Sequence, residues 1–143
     1  FPHYDDVAAD VLDFLRERSS VARERGVGED QLLIDPGIDL AKTPAESVAL
    51  LRRLGELEVL GRPLLLAVSR KDFVGSLTGR APAQRDAGTL ASLEPALGLP
   101  GAVVRVHDVA GASDFLRVRA ALRGDVDPPA GPLEGPLRRE VVA

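Results

Sequence analysis

Three short apolar runs divide the chain, and residues with helical spacing fill the stretches between them. The runs lie near residues 31–35, 63–68 and 102–106. Continuous apolar runs of this length are typical of strands that are buried on both faces, as in a parallel sheet. We therefore predict three parallel strands.

The apolar pattern around these strands predicts four helices and one short helical turn. The first helix covers residues 5–25, and the second begins at Thr43-Pro44-Ala45-Glu46, which has the residues of a capping box with proline in the first helical position. This second helix runs to about Leu60. After it we predict a turn over 72–77, a helix from about Gln84 that Pro95 interrupts, and a helix over about 113–123.

Helices that alternate with strands about 30 to 40 residues apart indicate an α/β fold with right-handed parallel crossovers. Three strands cannot close a barrel, which takes eight, so the sheet is either a small open domain or part of a barrel. Residues 125–143 contain four prolines and two glycines, and we predict a loosely ordered tail there. The chain starts without Met, so we expect it to lie inside a longer protein.

Composition narrows the classes of function. A net charge of −4 argues against a nucleic-acid surface, which would be basic. No run approaches the roughly 18–20 apolar residues of a membrane span, and no signal segment opens the chain, so we expect a cytoplasmic protein. With zero Cys, disulfides and thiolate chemistry are excluded. The sequence has 16 Arg but only two Lys, Lys42 and Lys71, and two His, His3 and His107.

Polar residues follow each predicted strand at its carboxyl end, where ligands bind in α/β folds. These residues are Asp35 before Pro36-Gly37, the segment Ser69-Arg70-Lys71, and Arg105 and His107 within Arg105-Val106-His107-Asp108. Together they would offer a carboxylate, two guanidinium groups, an ammonium and an imidazole to a common space. We predict a site for a polar, anionic ligand that forms hydrogen bonds.

Simpler interpretations of the same residues remain open. Asp35 could be a turn residue, and Lys42 could be a chance feature of an arginine-biased composition. Arg105 and His107 could form a buried ion network with Asp108. We expect Ser69 to be structural rather than nucleophilic, and Arg85 to brace a helix or an interface.

In this order and spacing, the three segments resemble dihydropteroate synthase, the folate-pathway enzyme that sulfonamides inhibit. The pattern of that family is Asp-Pro-Gly with Lys seven residues after the Asp, then Ser-Arg-Lys, then Arg-Val-His-Asp. It is met here by Asp35-Pro36-Gly37 with Lys42, by Ser69-Arg70-Lys71 and by Arg105-Val106-His107-Asp108, and residues 84–91 resemble the family's Gly-Thr-Leu-Ala helix.

The resemblance implies a (β/α)8 TIM barrel of about twice this length, with residues 1–124 as its C-terminal part. It implies a transferase that condenses 6-hydroxymethyl-7,8-dihydropterin pyrophosphate with p-aminobenzoate and releases pyrophosphate. It further implies a homodimer, and Mg²⁺ bound through the pyrophosphate with its protein ligand in the missing N-terminal half. No metal ligand is assigned to this chain, and the isolated chain is expected to be inactive.

The resemblance also assigns roles to residues. Asp35 and Lys71 would hydrogen-bond the pterin ring, and Arg105 and His107 would hold the pyrophosphate. The catalytic set is Lys71, Arg105 and His107, and the further substrate-binding residues are Gly37, Lys42, Ser69 and Asp72.

Two positions depart from the family pattern. Leu40 stands where an aromatic residue often lines the aminobenzoate pocket, and Asp72 stands where a Ser donates to the aminobenzoate carboxylate. Asp72 at a helix N-terminus would occupy the end that favours an anion and repel a second carboxylate. We therefore predict weak binding of p-aminobenzoate, unless Asp72 turns away to cap the helix.

Two other functions stay open at this point. A pterin-dependent methyltransferase also binds pterins in a barrel, although it does not need the pyrophosphate-binding set. A non-catalytic pterin- or anion-binding fragment or paralogue would have to cover its open sheet edges by self-association, or by pairing with a separate N-terminal half.

Overall fold

The computed structural model describes residues 3–133 and 135–138. The chain divides into two compact units, Phe1–Val109 and Ala110–Ala143. Every site residue predicted from the sequence belongs to the first unit. Among the described residues, no helix is both long and apolar enough to cross a membrane.

A small parallel sheet lies at the centre of the first unit. Strand β1 (Leu65–Leu66) pairs in parallel with strand β2 (Val103–Val104), and Ile34 forms a parallel bridge with Leu64. The bridge consists of a bond from the Ile34 N–H to the Pro63 carbonyl, at 3.0 Å, and one from the Leu65 N–H to the Ile34 carbonyl, at 2.8 Å. The predicted α/β class and the parallel direction of the three segments are therefore confirmed.

The strands are much shorter than predicted. Only Ile34 pairs in the first segment, and the ladders of β1 and β2 are two residues long. Pro36 and Pro63 flank the bridged pair, and proline has no N–H to donate to a ladder.

Burial on both faces is also wrong for the outer segments, because Leu33 is 54% exposed and Val103 is 44% exposed. Side chains alternate between the faces of a strand, and the core covers Ile34 but not Leu33.

The first two helices begin as their capping residues dictate. Helix α1 (Val7–Glu24) follows Asp6, whose carboxylate accepts the N–H groups of Ala8 and Ala9, both at 3.1 Å. Helix α2 (Pro44–Arg52) begins at the predicted capping box: Thr43 Oγ1 accepts the Glu46 N–H, and Glu46 Oε2 accepts the Thr43 N–H at 2.7 Å.

The predicted continuation of this second helix to Leu60 is wrong. It ends at Arg52, and a 3₁₀ segment, Leu54–Leu60, follows it. Gly55 lies at this change, and glycine is a poor helix former.

The later helices are short and separated by turns. Helix α3 (Asp72–Thr78) is confirmed as a short helix, whereas α4 (Asp86–Ala91) begins only after a 3₁₀ turn at Pro82–Gln84. A further 3₁₀ turn, Glu94–Ala96, contains the proline that was predicted to interrupt this helix.

Helix α5 (Val109–Arg123) begins four residues before its predicted start and enters the second unit. That unit also contains a 3₁₀ turn at Gly135–Leu137. The predicted loose order of the tail over 125–143 falls partly on residues 134 and 139–143, which lie outside the described residues, and it stays a prediction.

Helices α3 and α4 approach each other closely at two glycines. A Cβ atom on Gly88 would lie 2.4 Å from Val74 Cγ1, and one on Gly75 would lie 2.2 Å from Arg85 Nη2. Either distance is far inside van der Waals contact. The absence of two methyl groups thus lets α4 and the Arg85 side chain lie directly against α3.

One apolar core supports the loops that follow the strands. It joins side chains of α1, α2, the 3₁₀ segment that follows α2, β1 and α3. Among its fully buried members are Leu50, Leu54, Leu57, Leu66 and Val68. The segments that follow the strands are therefore anchored in this core.

Candidate active site

Four of the predicted site residues line one cavity of about 370 Å³. They are Ser69, Lys71, Arg105 and His107. The cavity lies at the carboxyl ends of β1 and β2, where the Arg105 N–H still donates to the Leu66 carbonyl at 2.9 Å. An ammonium, a guanidinium and an imidazole thus border one space, which suits an anionic ligand.

His107 is held in this cavity by Ser69. The Ser69 hydroxyl oxygen accepts the backbone N–H of His107 at 3.1 Å and lies 2.8 Å from Nδ1 of its ring. Ser69 is itself buried. Because Nδ1 is engaged, Nε2 is the ring nitrogen available to a ligand. Ser69 is therefore placed for a structural role, which is to hold the His107 ring in position.

The predicted common space for all strand-end residues is divided. Asp35, Gly37 and Lys42 line a second cavity, of about 600 Å³, together with side chains of α1 such as Phe14 and with Leu40. The division follows from the loop after Ile34, which folds back on itself. Asp35 and Lys71 still follow parallel segments at the same end of the sheet.

Asp35 does form a turn with its own loop. Its Oδ1 accepts the Gly37 N–H at 2.8 Å, and the residue is exposed. The turn interpretation is therefore correct for one carboxylate oxygen. This bond also orients the carboxylate, which leaves Oδ2 as the oxygen for a ligand.

Lys42 ties the same loop together. Its ammonium donates to the carbonyls of Gly37, at 3.0 Å, and Leu40, at 3.1 Å, and lies 5.7 Å from the centre of the Tyr4 ring. Burial lowers the pKa of Lys42, while Asp35 and Glu46 oppose the shift. Both cavity wall and loop geometry therefore depend on this lysine.

Asp39, which the sequence did not single out, connects the loop to two helices. Its Oδ1 accepts the hydroxyl of Ser47 in α2 at 2.9 Å. Its Oδ2 accepts the backbone N–H of Asp72 and, at 3.4 Å, that of Phe73 at the start of α3. Asp39 and Asp72 are 33 positions apart, so no local sequence pattern indicated this contact.

Asp72 lies in the first turn of α3, as predicted, but its carboxylate does not cap the helix. Asp39 accepts the N–H groups at this end instead. The Asp72 side chain is 87% exposed and accepts a hydrogen bond from Arg85 Nη1 at 3.0 Å. The loop places Asp39 beside the N–H groups at the start of the helix, and the Asp72 carboxylate pairs with Arg85 instead.

Arg70 adopts an unusual backbone conformation beside Lys71. Its φ of 59° lies in the left-handed region, which is uncommon for residues other than glycine. Its N–H donates to Thr89 Oγ1 at 2.9 Å, and its guanidinium forms a two-pronged bond with Asp86 at 2.8 and 3.0 Å. The hydrogen bonds from Arg70 hold the pKa of the Asp86 carboxyl below its usual value.

Arg85 supports the same turn, in line with the bracing role that was expected from the sequence. Its Nη1 donates to the carbonyls of Arg70, at 2.9 Å, and Lys71, at 3.0 Å, and its Nε donates to the Arg80 carbonyl at 2.8 Å. Asp86 and Thr89 were not predicted from the sequence as partners of this turn. The one sequence signal for them was the likeness of residues 84–91 to a family helix.

The described residues do not fit a protein-held Mg²⁺ site. Mg²⁺ prefers oxygen ligands, chiefly carboxylates. Within residues 3–133 and 135–138 no group of three or more His, Asp or Glu side chains could hold a metal ion. The charged groups that line the smaller cavity are cations.

The sequence model of a family described as "Pterin binding enzyme" matches residues 2–107. The chain belongs to the pterin-binding enzyme family. Within this family, a similar curated protein is the dihydropteroate synthase of Synechocystis sp., which is 38% identical over 120 residues. That match covers 83% of this chain and 42% of the Synechocystis enzyme.

Solved structures of this pterin-binding family agree. The dihydropteroate synthase of Xanthomonas albilineans in complex with 7,8-dihydropteroate is 46% identical, has a TM-score of 0.81, and is matched over 85% of this chain and 47% of its own. The same enzyme with 4-aminobenzoic acid gives the same identity and TM-score, over 45% of its own length. The chain thus spans about half the length of the relatives that it matches.

Proposed function

We propose that this chain is the C-terminal part of the (β/α)8 barrel of a dihydropteroate synthase. In the intact protein it would take part in condensing 6-hydroxymethyl-7,8-dihydropterin pyrophosphate with p-aminobenzoate. The observation that carries the proposal is the single cavity at the carboxyl ends of β1 and β2 that Lys71, Arg105 and His107 share. Solved relatives in complex with dihydropteroate and with 4-aminobenzoic acid support both ligands.

Arg105 and His107 would act on the pyrophosphate. In the reaction the amine nitrogen of p-aminobenzoate forms a bond to the pterin methylene carbon and loses a proton, while the bond from that carbon to the pyrophosphate oxygen breaks with its electron pair. Negative charge therefore grows on the leaving pyrophosphate. Fixed cationic donors stabilise such charge without reorganising.

Asp35, from the larger cavity, and Lys71, from the smaller one, would hold opposite edges of the pterin ring. The ring presents adjacent N–H donors on its guanidine-like edge, for which an ionised carboxylate is the matching acceptor. The ring carbonyl and N5 accept hydrogen bonds, which an ammonium can donate. Of the further substrate-binding assignments, Gly37 and Lys42 would shape the Asp35 loop, and Ser69 would act through His107. Asp72 would lie near the second substrate.

Three further parts of the proposal rest on the resemblance to the family. Mg²⁺ would arrive with the pyrophosphate rather than on ligands of this chain. The intact enzyme would be a homodimer in the cytoplasm. Sedimentation of the intact enzyme and cell fractionation test the last two, and a Mg²⁺ titration of pyrophosphate affinity tests the first.

The test compares two ligands on this chain by calorimetry. We expect 6-hydroxymethyl-7,8-dihydropterin pyrophosphate to bind more tightly than 6-hydroxymethyl-7,8-dihydropterin, because only the former reaches Arg105 and His107. Equal affinity for both, or no binding of either, would contradict the proposal. Product formation by the chain alone is expected to be undetectable, because the chain spans about half of its relatives. Robust turnover would overturn that expectation.

A further inference from the structure

The turn that carries Lys71 is held by Thr89, Asp86 and Arg85, which lie in or just before α4. Thr89 accepts the Arg70 N–H, Asp86 holds the Arg70 guanidinium, and Arg85 donates to the carbonyls of both Arg70 and Lys71. Thr89 is buried, and the Arg85 side chain is only 11% exposed. The contacts therefore engage the N–H, the carbonyl and the side chain of one residue.

Arg70 requires such contacts because its backbone is strained. A residue other than glycine with a positive φ costs free energy, and this conformation persists only where contacts with the surrounding structure enforce it. Arg70 stands between Ser69 and Lys71, which both line the cavity of the candidate active site. If Arg70 adopted an ordinary negative φ, the direction of the chain would change between Ser69 and Lys71, and their side chains would no longer line the cavity as they do.

We propose that Arg85, Asp86 and Thr89 form a clamp that holds the left-handed turn at Arg70 and so positions the Lys71 ammonium for the pterin. None of the three is among the residues that line the cavity, so they are positioning residues rather than catalytic ones. The part that concerns the pterin rests on the proposed function. The part that concerns the turn does not.

The first measurement is amide hydrogen exchange of Arg70 in the whole chain. Thr89→Val removes the hydroxyl that accepts the Arg70 N–H but keeps the shape of the side chain. Loss of one such hydrogen bond corresponds to exchange about two- to tenfold faster. Asp86→Asn should act in the same direction, and Thr89→Ser, which restores a hydroxyl, should return the rate toward wild type.

Glu56→Gln is the matched control. Glu56 forms a two-pronged bond with Arg53, at 2.7 and 2.8 Å, that resembles the pair of Asp86 with Arg70 but lies on another part of the chain. Its loss should leave exchange at Arg70 unchanged. Unchanged exchange in both Thr89→Val and Asp86→Asn would overturn the clamp. Should one of these two variants fail to fold, the other decides.

The second measurement uses the fact that the sequence has only two lysines. Labelling with acetic anhydride, followed by peptide mass spectrometry, distinguishes Lys71 from Lys42, and the same chain labelled without ligand is the reference for each. We expect 6-hydroxymethyl-7,8-dihydropterin pyrophosphate to protect Lys71 in the wild type. Protection should be lost in Thr89→Val and recovered in Thr89→Ser.

The outcomes separate the two proposals. Protection of Lys71 that persists in both Thr89→Val and Asp86→Asn would overturn the positioning role. Absence of protection in the wild type would overturn the pterin-binding role of Lys71, and with it the positioning role, whereas the exchange rates would still decide whether the clamp holds the turn.

Discussion

The Ser69 hydroxyl oxygen contacts His107 twice, at 3.1 Å through the backbone N–H and at 2.8 Å through ring Nδ1. Ser69 ends the segment that continues β1, and His107 lies just beyond β2, so one hydroxyl joins the two strand ends. The contact fixes the ring plane of His107 and directs its other nitrogen to a ligand.

Ser69→Ala should therefore loosen His107 without removing it. The backbone N–H of His107 would lose its partner, and the unfolding free energy should fall by about 1 kcal/mol. Binding of inorganic pyrophosphate should weaken as well. The His107 ring signals in an NMR titration report the binding, and His3, the other histidine, serves as the reference. An unaltered pyrophosphate titration would show that Ser69 does not position the ring.

Arg105→Ala and His107→Ala should each discriminate between ligands. Loss of a hydrogen bond to a charged group should weaken binding of the pterin pyrophosphate by roughly ten- to a hundredfold. Binding of the pterin without pyrophosphate should change little. Calorimetry with both ligands measures the difference, and Arg16→Ala, on the exposed side of α1, controls for the loss of one positive charge. Equal losses for both ligands would mean that these residues shape the fold.

Lys42 should make stability depend on alkaline pH. Its pKa in the folded chain lies below the ordinary 10.5, chiefly because of burial. As pH rises through the lowered pKa, the folded chain releases this proton before the unfolded chain does. Stability should then rise with pH up to about 10.5, by linkage.

Lys42→Met should remove that rise. Denaturant unfolding of the wild type and the variant, at matched pH steps from neutral to alkaline, gives the two slopes directly. Their difference isolates Lys42, because every other titratable side chain is present in both proteins. Identical slopes would contradict the predicted shift.

Asp72→Ser should strengthen binding of p-aminobenzoate in the intact enzyme. Because the Asp72 carboxylate is exposed and water surrounds it, its repulsion of a second carboxylate about 4 Å away is about 1 kcal/mol, or roughly fivefold in affinity. The gain should shrink as salt is added. Titration of p-aminobenzoate at two salt concentrations, with pterin pyrophosphate bound, measures it.

Asp13→Ser supplies the control, since Asp13 is an exposed carboxylate that is likewise paired with an arginine, Arg16. An unchanged affinity in Asp72→Ser would leave the carboxylate without influence on the second substrate.

The sequence predicted best what depends on short segments. The apolar runs indicated three parallel segments, and the residues just after them, such as Lys71 and Arg105, could be assigned to one end of the sheet. Thr43 and Glu46 predicted the start of α2, because a capping box needs only four neighbouring residues. Each of these features is set by neighbours along the chain.

Contacts between distant segments could not be predicted in this way. Asp39 reaches the start of α3 only because the loop before α2 folds back, and Asp86 meets Arg70 only because α4 packs on α3. The strand lengths were overestimated for a related reason: apolar residues such as Leu33 show a preference for strand but do not show whether a partner lies beside them.

Gly75 and Gly88 have a consequence for how this chain can vary. Neither glycine lines the smaller cavity, yet any side chain at position 88 would strike Val74, and any at position 75 would strike the Arg85 guanidinium. Val74 is buried, and Arg85 could move aside only by giving up its bonds to the carbonyls of Arg70 and Lys71, so a survey of all substitutions should find both positions intolerant. Mutational tolerance alone would therefore assign both glycines to the active site, although their role is to leave room for the side chains of Val74 and Arg85.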